Sequence, residues 1–329
     1  MRTKFVLKLV AVVVVAVVVY GAYLYYRTVD LGDRVATIVI KPGDTLTGIA
    51  RRLLDEGVVQ SRLMLVYPGR LMNIDTKLVP GRYDFTGKNS CRSVLARLKA
   101  ADFVRIKVTV PEGATLWKVA SIMADKLQLD SAGFLGLCQD LTFLDSLDLP
   151  TLEGYLFPET YFFPWGISDT AVVAGMLQMY HSQTDSIWPE VMPDGFGRHD
   201  IIKLASIIEA ETGQIDERTL VSSVYHNRLR RNMRLDADPT VIYGLGGLDR
   251  PLYRKDLTRD TPYNTYLHRG LPPTPINSPG LASIVAALQP EETEFLYFVA
   301  GDSGRHVFSK TNAEHNRAKQ QIDNLRKKK

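Results

Sequence analysis

A chain of 329 residues with 45% hydrophobic and 23% charged side chains has a folding composition, long enough for two or three compact units, which excludes a disordered tail or a minimal domain. The formal net charge of +4 is modest and sits partly in the basic tail at 326–329, so it makes no case for nucleic acid and marks a solvated terminus. The six histidines are scattered without an H-E-x-x-H or paired cysteines, and neither a G-x-S-x-G elbow nor a P-loop is present, so neither a metal nor a cofactor is expected.

Arg2, Lys4 and Lys8 precede an uncharged apolar run over 9–26, about eighteen residues, a length that crosses a bilayer with little to spare. Asp30 and Asp33 follow. The positive-inside rule therefore makes 1–8 a cytoplasmic tail and 9–26 a transmembrane helix, and exports the remainder. A cleaved signal peptide is the competing meaning. Against it stand the length of the run, the interfacial belt formed by Tyr20, Tyr23, Tyr25 and Tyr26, and the lack of a small-x-small cleavage site. Cys91 and Cys138 fall in the exported part, where a disulfide is permitted, but their apolar neighbours favour plain core residues.

The segment 36–40 is a short strand. Pro42-Gly43 then turns the chain, Asp44 or Thr45 can cap a helix, and Leu46, Ile49, Ala50, Leu53 and Leu54 recur at helical spacing until Gly57. The pattern returns at 108–110, with a turn at Pro111 to Gly113 and the same offsets in Leu116, Val119, Ala120, Met123 and Ala124. Between the copies, 79–85 reads as turn and strand and 94–98 as a short helix. Through the run from Lys41 to Leu46 and the pair Ile49-Ala50, the first copy resembles the LysM module, a βααβ fold that binds the N-acetyl sugars of peptidoglycan and chitin. A spacer between membrane and catalytic part is the competing use. The predicted fold class is α+β: small βα units over 35–150 as a LysM-like, substrate-positioning region, then a larger mixed catalytic domain over 151–329.

At 152–161, aromatics and carboxylates gather around a Gly and a Pro, the mixture that stacks on a sugar ring and bonds its hydroxyls, with Glu153 and Tyr155 as candidate contacts. A helix is expected over 171–180, and a loop over 188–200 enters the helix of 201–213. At about 100° per residue, Ile201, Ile202, Leu204, Ala205, Ile207 and Ile208 form one apolar face, with Lys203, Ser206 and Ala210 opposite. Glu209 and Glu211 both land inside the apolar arc, roughly 90° and roughly 70° from its centre, too close to choose between. A carboxyl on such a face is costly to ionise, so its pKa should rise toward what a general acid needs near neutral pH. An ion pair at a helix edge is the plainer alternative.

Asp216 can cap a further helix carrying Leu220, Val221, Val224, Tyr225 and Leu229. Next, 234–244 reads as an acidic turn joined to a β-like run. The glycines from 244 to 247 fall short of a dinucleotide fingerprint and mark a turn. Candidate substrate contacts here are Asp238 and Thr240. The Pro-rich loops that follow have Tyr, Asn and Thr interleaved as in a groove lining, and offer Tyr263, Asn264, Tyr266 and Asn277. With other motifs absent, carboxylate acid–base work remains, and glycosidic cleavage is its natural reaction.

Taken together, the runs at 205–212, 227–229, 233–235, 238–244, 263–266, 270–273, 279–280, 296–299 and 315–316 resemble the endolytic murein transglycosylase (YceG-like) family. The resemblance implies that the catalytic residue is the second carboxylate of the Glu-x-Glu-Thr run, Glu211. The Glu211-Thr212 pair is also similar to the Glu-Ser pair that marks the acid of many lytic transglycosylases, and the family resemblance carries more than the site. It further implies a single-pass protein of the bacterial inner membrane, its C-terminal domain extracytoplasmic, cutting nascent glycan strands beside the murein synthases (penicillin-binding proteins) and so limiting strand length. Glu211 would protonate the oxygen between N-acetylmuramic acid and N-acetylglucosamine and then deprotonate the muramyl C6 hydroxyl, closing a 1,6-anhydro ring. Two rivals stand beside this reading: a hydrolytic muramidase, with Glu153, Glu159, Asp236 or Asp238 as second carboxylate, and a non-catalytic murein-binding scaffold.

Overall fold

The computed structural model describes residues 2–301 and 304–327, so Lys328 and Lys329 of the basic tail lie outside the described residues. The chain divides into two units, Met1–Lys107 with Phe162–Ile167, and Val108–Tyr161 with Ser168–Lys329. Among the described residues the strands form two-stranded pairings between numerous helices, a mixed α+β architecture as expected.

The first unit begins with α1 (Arg2–Tyr26). Among the described residues its segment Phe5–Tyr26 is the one helix long and apolar enough to cross a membrane, and none of its most apolar window is buried in the protein. A core helix of this composition would be covered by other elements. There follow β1 (Val29–Asp30), β2 (Ala36–Ile40), α2 (Leu46–Asp55), α3 (Leu63–Leu71), β3 (Gly81–Phe85), β4 (Lys88–Asn89) and α4 (Cys91–Lys99). The strands β2 and β3 pair antiparallel, Ala36 opposite Phe85 and Ile40 opposite Gly81. Their period-two pattern turns Ala36, Ile38, Ile40, Tyr83 and Phe85 inward against Leu46, Ile49 and Leu53 of α2. Of the two candidate caps, Thr45 takes the position, its hydroxyl accepting the amide of Gly48 at 3.2 Å. Asp44 instead accepts the amide of Lys41 and pairs with Arg52.

The chain passes to the second unit within β5 (Arg105–Thr109), and the repeated pattern reappears as α5 (Leu116–Leu127), capped by Thr115. Then come α6 (Ser131–Gln139), α7 (Leu141–Ser146), β6 (Thr160–Pro164), α8 (Asp169–Thr184), α9 (Arg198–Glu211), α10 (Arg218–Arg230), α11 (Asp238–Gly244), α12 (Leu281–Leu288), β7 (Tyr297–Ala300), β8 (His306–Ser309) and α13 (Asn312–Lys327). The helix α9 packs against α10, α11 and α12, and its buried side chains run around nearly the whole circumference.

Four local expectations are corrected. Ser206, expected on the polar face of α9, is fully buried; its hydroxyl donates to the carbonyl of Lys203 and accepts the amide of Ile276, so a polar side chain is satisfied inside. The expected entry loop ends earlier, α9 starting at Arg198 with Asp200 accepting the amide of Gly197. Asp216 caps nothing. A 3-10 turn at Ile215–Glu217 leads into α10, and Asp216 pairs with Arg305 at 2.7 Å. The β-like run at 238–244 is the helix α11: Pro239 sits in its first turn, where the missing N–H costs nothing, and Thr240 donates to the carbonyl of Ala237. Both cysteines are free and buried.

Candidate active site

The last turn of α9 presents two carboxylates that meet different surroundings. Glu209 is 6% exposed and pairs with Arg218, itself 5% exposed, at 3.0 Å. Its other oxygen accepts the amide of Gly280 at 3.0 Å, at the start of α12. Glu209 is thereby committed to joining α9, α10 and α12. Glu211, two residues on, lines a polar cleft of about 380 Å³. One oxygen, Oε1, accepts the hydroxyl of Tyr225 at 2.7 Å, and Oε2 makes no hydrogen bond among the described residues.

Burial pushes the Glu211 carboxyl up to about 7 from an ordinary 4.5; the Tyr225 hydrogen bond works against the rise, the charge of Asp238 adds to it and that of Arg228 opposes it. Tyr225 comes from the core of α10, its ring edge-on to Phe298 of β7 at 5.8 Å, so the donor is rigidly held. A carboxyl that is protonated near neutrality, open to a cleft and fixed by one strong donor has the attributes of a general acid.

Arg228, also on α10, lines the same cleft. Its guanidinium donates to the carbonyls of Leu296, Arg234 and Leu235 and to Asp236, tying β7 and the 234–236 segment to the helix, and it lies over the Tyr297 ring at 5.2 Å. The remaining side comes from α13, with Asn312, His315, Asn316 and Lys319. The His315 ring stacks on Tyr297 at 5.3 Å, and burial holds its pKa below the usual value.

Of the residues singled out in the sequence, Glu211, Asp236, Asp238 and Tyr266 come together in this cleft, with the Tyr266 hydroxyl donating to Asp238 at 2.6 Å. Thr240 and Asn264 are fully buried: Thr240 bonds the carbonyl of Ala237 and the hydroxyl of Thr265, and Asn264 donates to the carbonyls of Leu257 and Arg259. Tyr155 bonds His199 at 2.8 Å, and Tyr263 bonds Thr274 at 2.9 Å. Glu153, 2% exposed, accepts the amide of Leu116 and the hydroxyl of Tyr243, while burial raises its carboxyl to about 7. Asn277 donates to the carbonyl of Ser206 on α9.

Arg228, Tyr225 and the α13 residues are absent from the sequence-derived site. Arg228 carried a signal: an arginine among Val221, Val224 and Tyr225 at helical spacing must find carbonyl or carboxylate partners. In α13 the one signal was the run 315–316 that shares in the family resemblance, since its apolar Ala318 and Ile322 report burial of the helix and not a cleft.

An acid carboxyl at the floor of a polar cleft, with a second carboxylate nearby and an arginine wall, defines a candidate acid–base enzyme. The YceG-like family matches residues 38–321, and the chain belongs to that family. A relative from Bacillus subtilis (strain 168), named endolytic murein transglycosylase, is 32% identical over 329 aligned residues, covering 92% of this chain and 90% of the relative. A protein of the same name from Streptococcus pneumoniae serotype 2 is 27% identical over 85% of this chain, which spans 57% of that longer protein. A crystal structure of a yceG-like protein from Listeria monocytogenes superposes with a TM-score of 0.61 at 30% identity, covering 87% of this chain and 99% of that one.

Proposed function

We propose that this protein is a membrane-anchored lytic transglycosylase of peptidoglycan, with Glu211 as both acid and base. The relatives' names support the substrate and reaction class. The single observation that carries the assignment within the chain is that Glu211, of the two α9 carboxylates, is the one that lines the cleft, while Glu209 is consumed by Arg218 and Gly280. In this reading Glu211 starts protonated and gives its proton to the oxygen joining muramyl C1 to the N-acetylglucosamine leaving group. As that C1–O bond breaks, the muramyl C6 hydroxyl closes on C1, and the Glu211 carboxylate takes the C6 proton. The proton count returns to its start and no water enters. Tyr225 steadies the carboxylate that forms in the first half, when Glu211 gives up its proton and charge develops on it.

Asp236 and Asp238 line the same cleft, Asp236 paired with Arg228, and these two carboxylates give the hydrolytic reading its specific foothold. Hydrolysis adds a water to the products and ring closure does not, so weighing the fragments of purified glycan strands separates the two. The proposal expects 1,6-anhydro ends; reducing ends would replace it with the muramidase. The exposed apolar helix α1 supports retention in the cytoplasmic membrane with the rest of the chain outside it, where murein synthases extrude the strands.

A further inference from the structure

A second depression in the same unit is lined in part by sequence neighbours of the Glu211 cleft. Its walls include Ala210, the neighbour of Glu211, and Pro239, the neighbour of Asp238, so the end of α9 and the start of α11 contribute to both hollows. It is smaller, about 300 Å³, and differs in character, with Trp117, Tyr243 and Ile276 making it predominantly apolar. Trp117 is 39% exposed, a large aromatic left open in a chain that buries most of its core aromatics.

The aromatic wall is deliberately mounted. The Trp117 ring stacks on Tyr243 at 4.9 Å and 25°, and Tyr243 leans on Tyr263 at 4.9 Å. Glu153, buried behind them, accepts both the hydroxyl of Tyr243 and the amide of Leu116, the residue before Trp117. One carboxyl thus fixes both ring-bearing segments. At the opposite side Asn277 is 4% exposed and lines the hollow; its amide nitrogen is engaged by the carbonyl of Ser206, but its Oδ1 is buried without a donor among the described residues. A buried amide acceptor left unpaired is costly and rare, and it fits a site that a ligand completes.

We propose that this hollow is a sugar subsite for one N-acetylhexosamine ring of the strand that Glu211 cuts, its apolar face on Trp117 and its acetamido N–H donated to Asn277 Oδ1 by local adjustment. The inference rests on the glycan-cleaving reading above and adds to it a residue pair that selects N-acetylated sugars and lengthens the bound segment. Volume agrees, because about 300 Å³ lies at the small end of ligand sites and suits one ring. Trp117 and Asn277 are binding residues here, and Glu153 is a positioning residue acting through Tyr243 and Leu116.

Full-length protein in detergent micelles, carrying Glu211→Gln to prevent turnover, is titrated with chitotetraose and with cellotetraose, which lacks acetamido groups. The subsite predicts a change in tryptophan fluorescence with the first and a much weaker one with the second. Trp117→Phe should retain chitotetraose binding measured by calorimetry while losing the fluorescence change, and Trp117→Ala should weaken binding about tenfold. Asn277→Ala should erase the preference for the acetylated ligand. With Glu211 intact, Trp117→Ala should raise KM for long glycan strands far more than it lowers kcat. Equal binding of the two tetrasaccharides, or unchanged binding and KM in Trp117→Ala, would overturn the subsite while leaving Glu211 in place. Near wild-type cleavage by folded Glu211→Gln would overturn the parent reading instead.

Discussion

The bond from Tyr225 to Glu211 opposes the effect of burial, so removing it should let the carboxyl pKa climb further. Tyr225→Phe is therefore expected to move the alkaline limb of the kcat/KM profile to higher pH and to lower kcat roughly tenfold through the weakened acid step. A purely structural role for Tyr225 would change the rate without moving the limb. Glu209 predicts the opposite phenotype. Glu209→Ala leaves Arg218 buried beside only the more distant Glu112, at 3.3 Å, and should cost roughly 3–5 kcal/mol of stability, seen as a lowered Tm, with little specific effect on the pH profile. Helical spacing could not tell the two carboxylates apart, since both fall within one apolar arc. What separates them is long-range: Arg218 and Gly280 meet one and Tyr225 the other, and no periodicity within α9 encodes those partners.

Local signals were faithful where the element is governed by its own residues. Thr45 and Thr115 cap helices whose apolar offsets match, and alternation in β2 matches its buried face. The reading failed at α11, where β-branched Val241 and Ile242 looked strand-like but Asp238-Pro239 starts a helix and tertiary packing holds it. Glu153, expected as a substrate contact from its aromatic setting, is buried and bonded to the Leu116 amide and the Tyr243 hydroxyl, a placement that only folding reveals. Gly154 beside it has a φ of +88°, and a Cβ there would sit 2.6 Å from Pro275, so Gly154→Ala should destabilise by about 2 kcal/mol or more and disturb Glu153. The Glu153 carboxyl itself is about 7 when folded against 4.5 when unfolded. Its contribution to stability is thus complete below about pH 4.5, declines between there and 7, and is lost above, a swing of roughly 3 kcal/mol. Thermal unfolding should show Tm falling from pH 5 to pH 8, and Glu153→Gln should flatten that fall. An unchanged slope would contradict the buried protonated form.

At the scale of the whole molecule, the apolar run and the α+β class were readable because composition and period report them directly, whereas the cleft was not, because α9, α10, β7 and α13 contribute to it from positions up to about a hundred residues apart. If α1 is a retained anchor, protease added outside the cytoplasmic membrane should degrade all but a short protected tail, and recovery of a soluble exported form would count against it. The most direct test of the central claim compares full-length wild type with Glu211→Gln on uncrosslinked glycan strands, after circular dichroism has shown both to be folded. Wild type should release 1,6-anhydro-ended fragments, one water lighter than hydrolytic products, and Glu211→Gln should lose about 10² to 10⁴ of the rate or more. Folded Glu211→Gln releasing the same fragments at near wild-type rate would contradict the account.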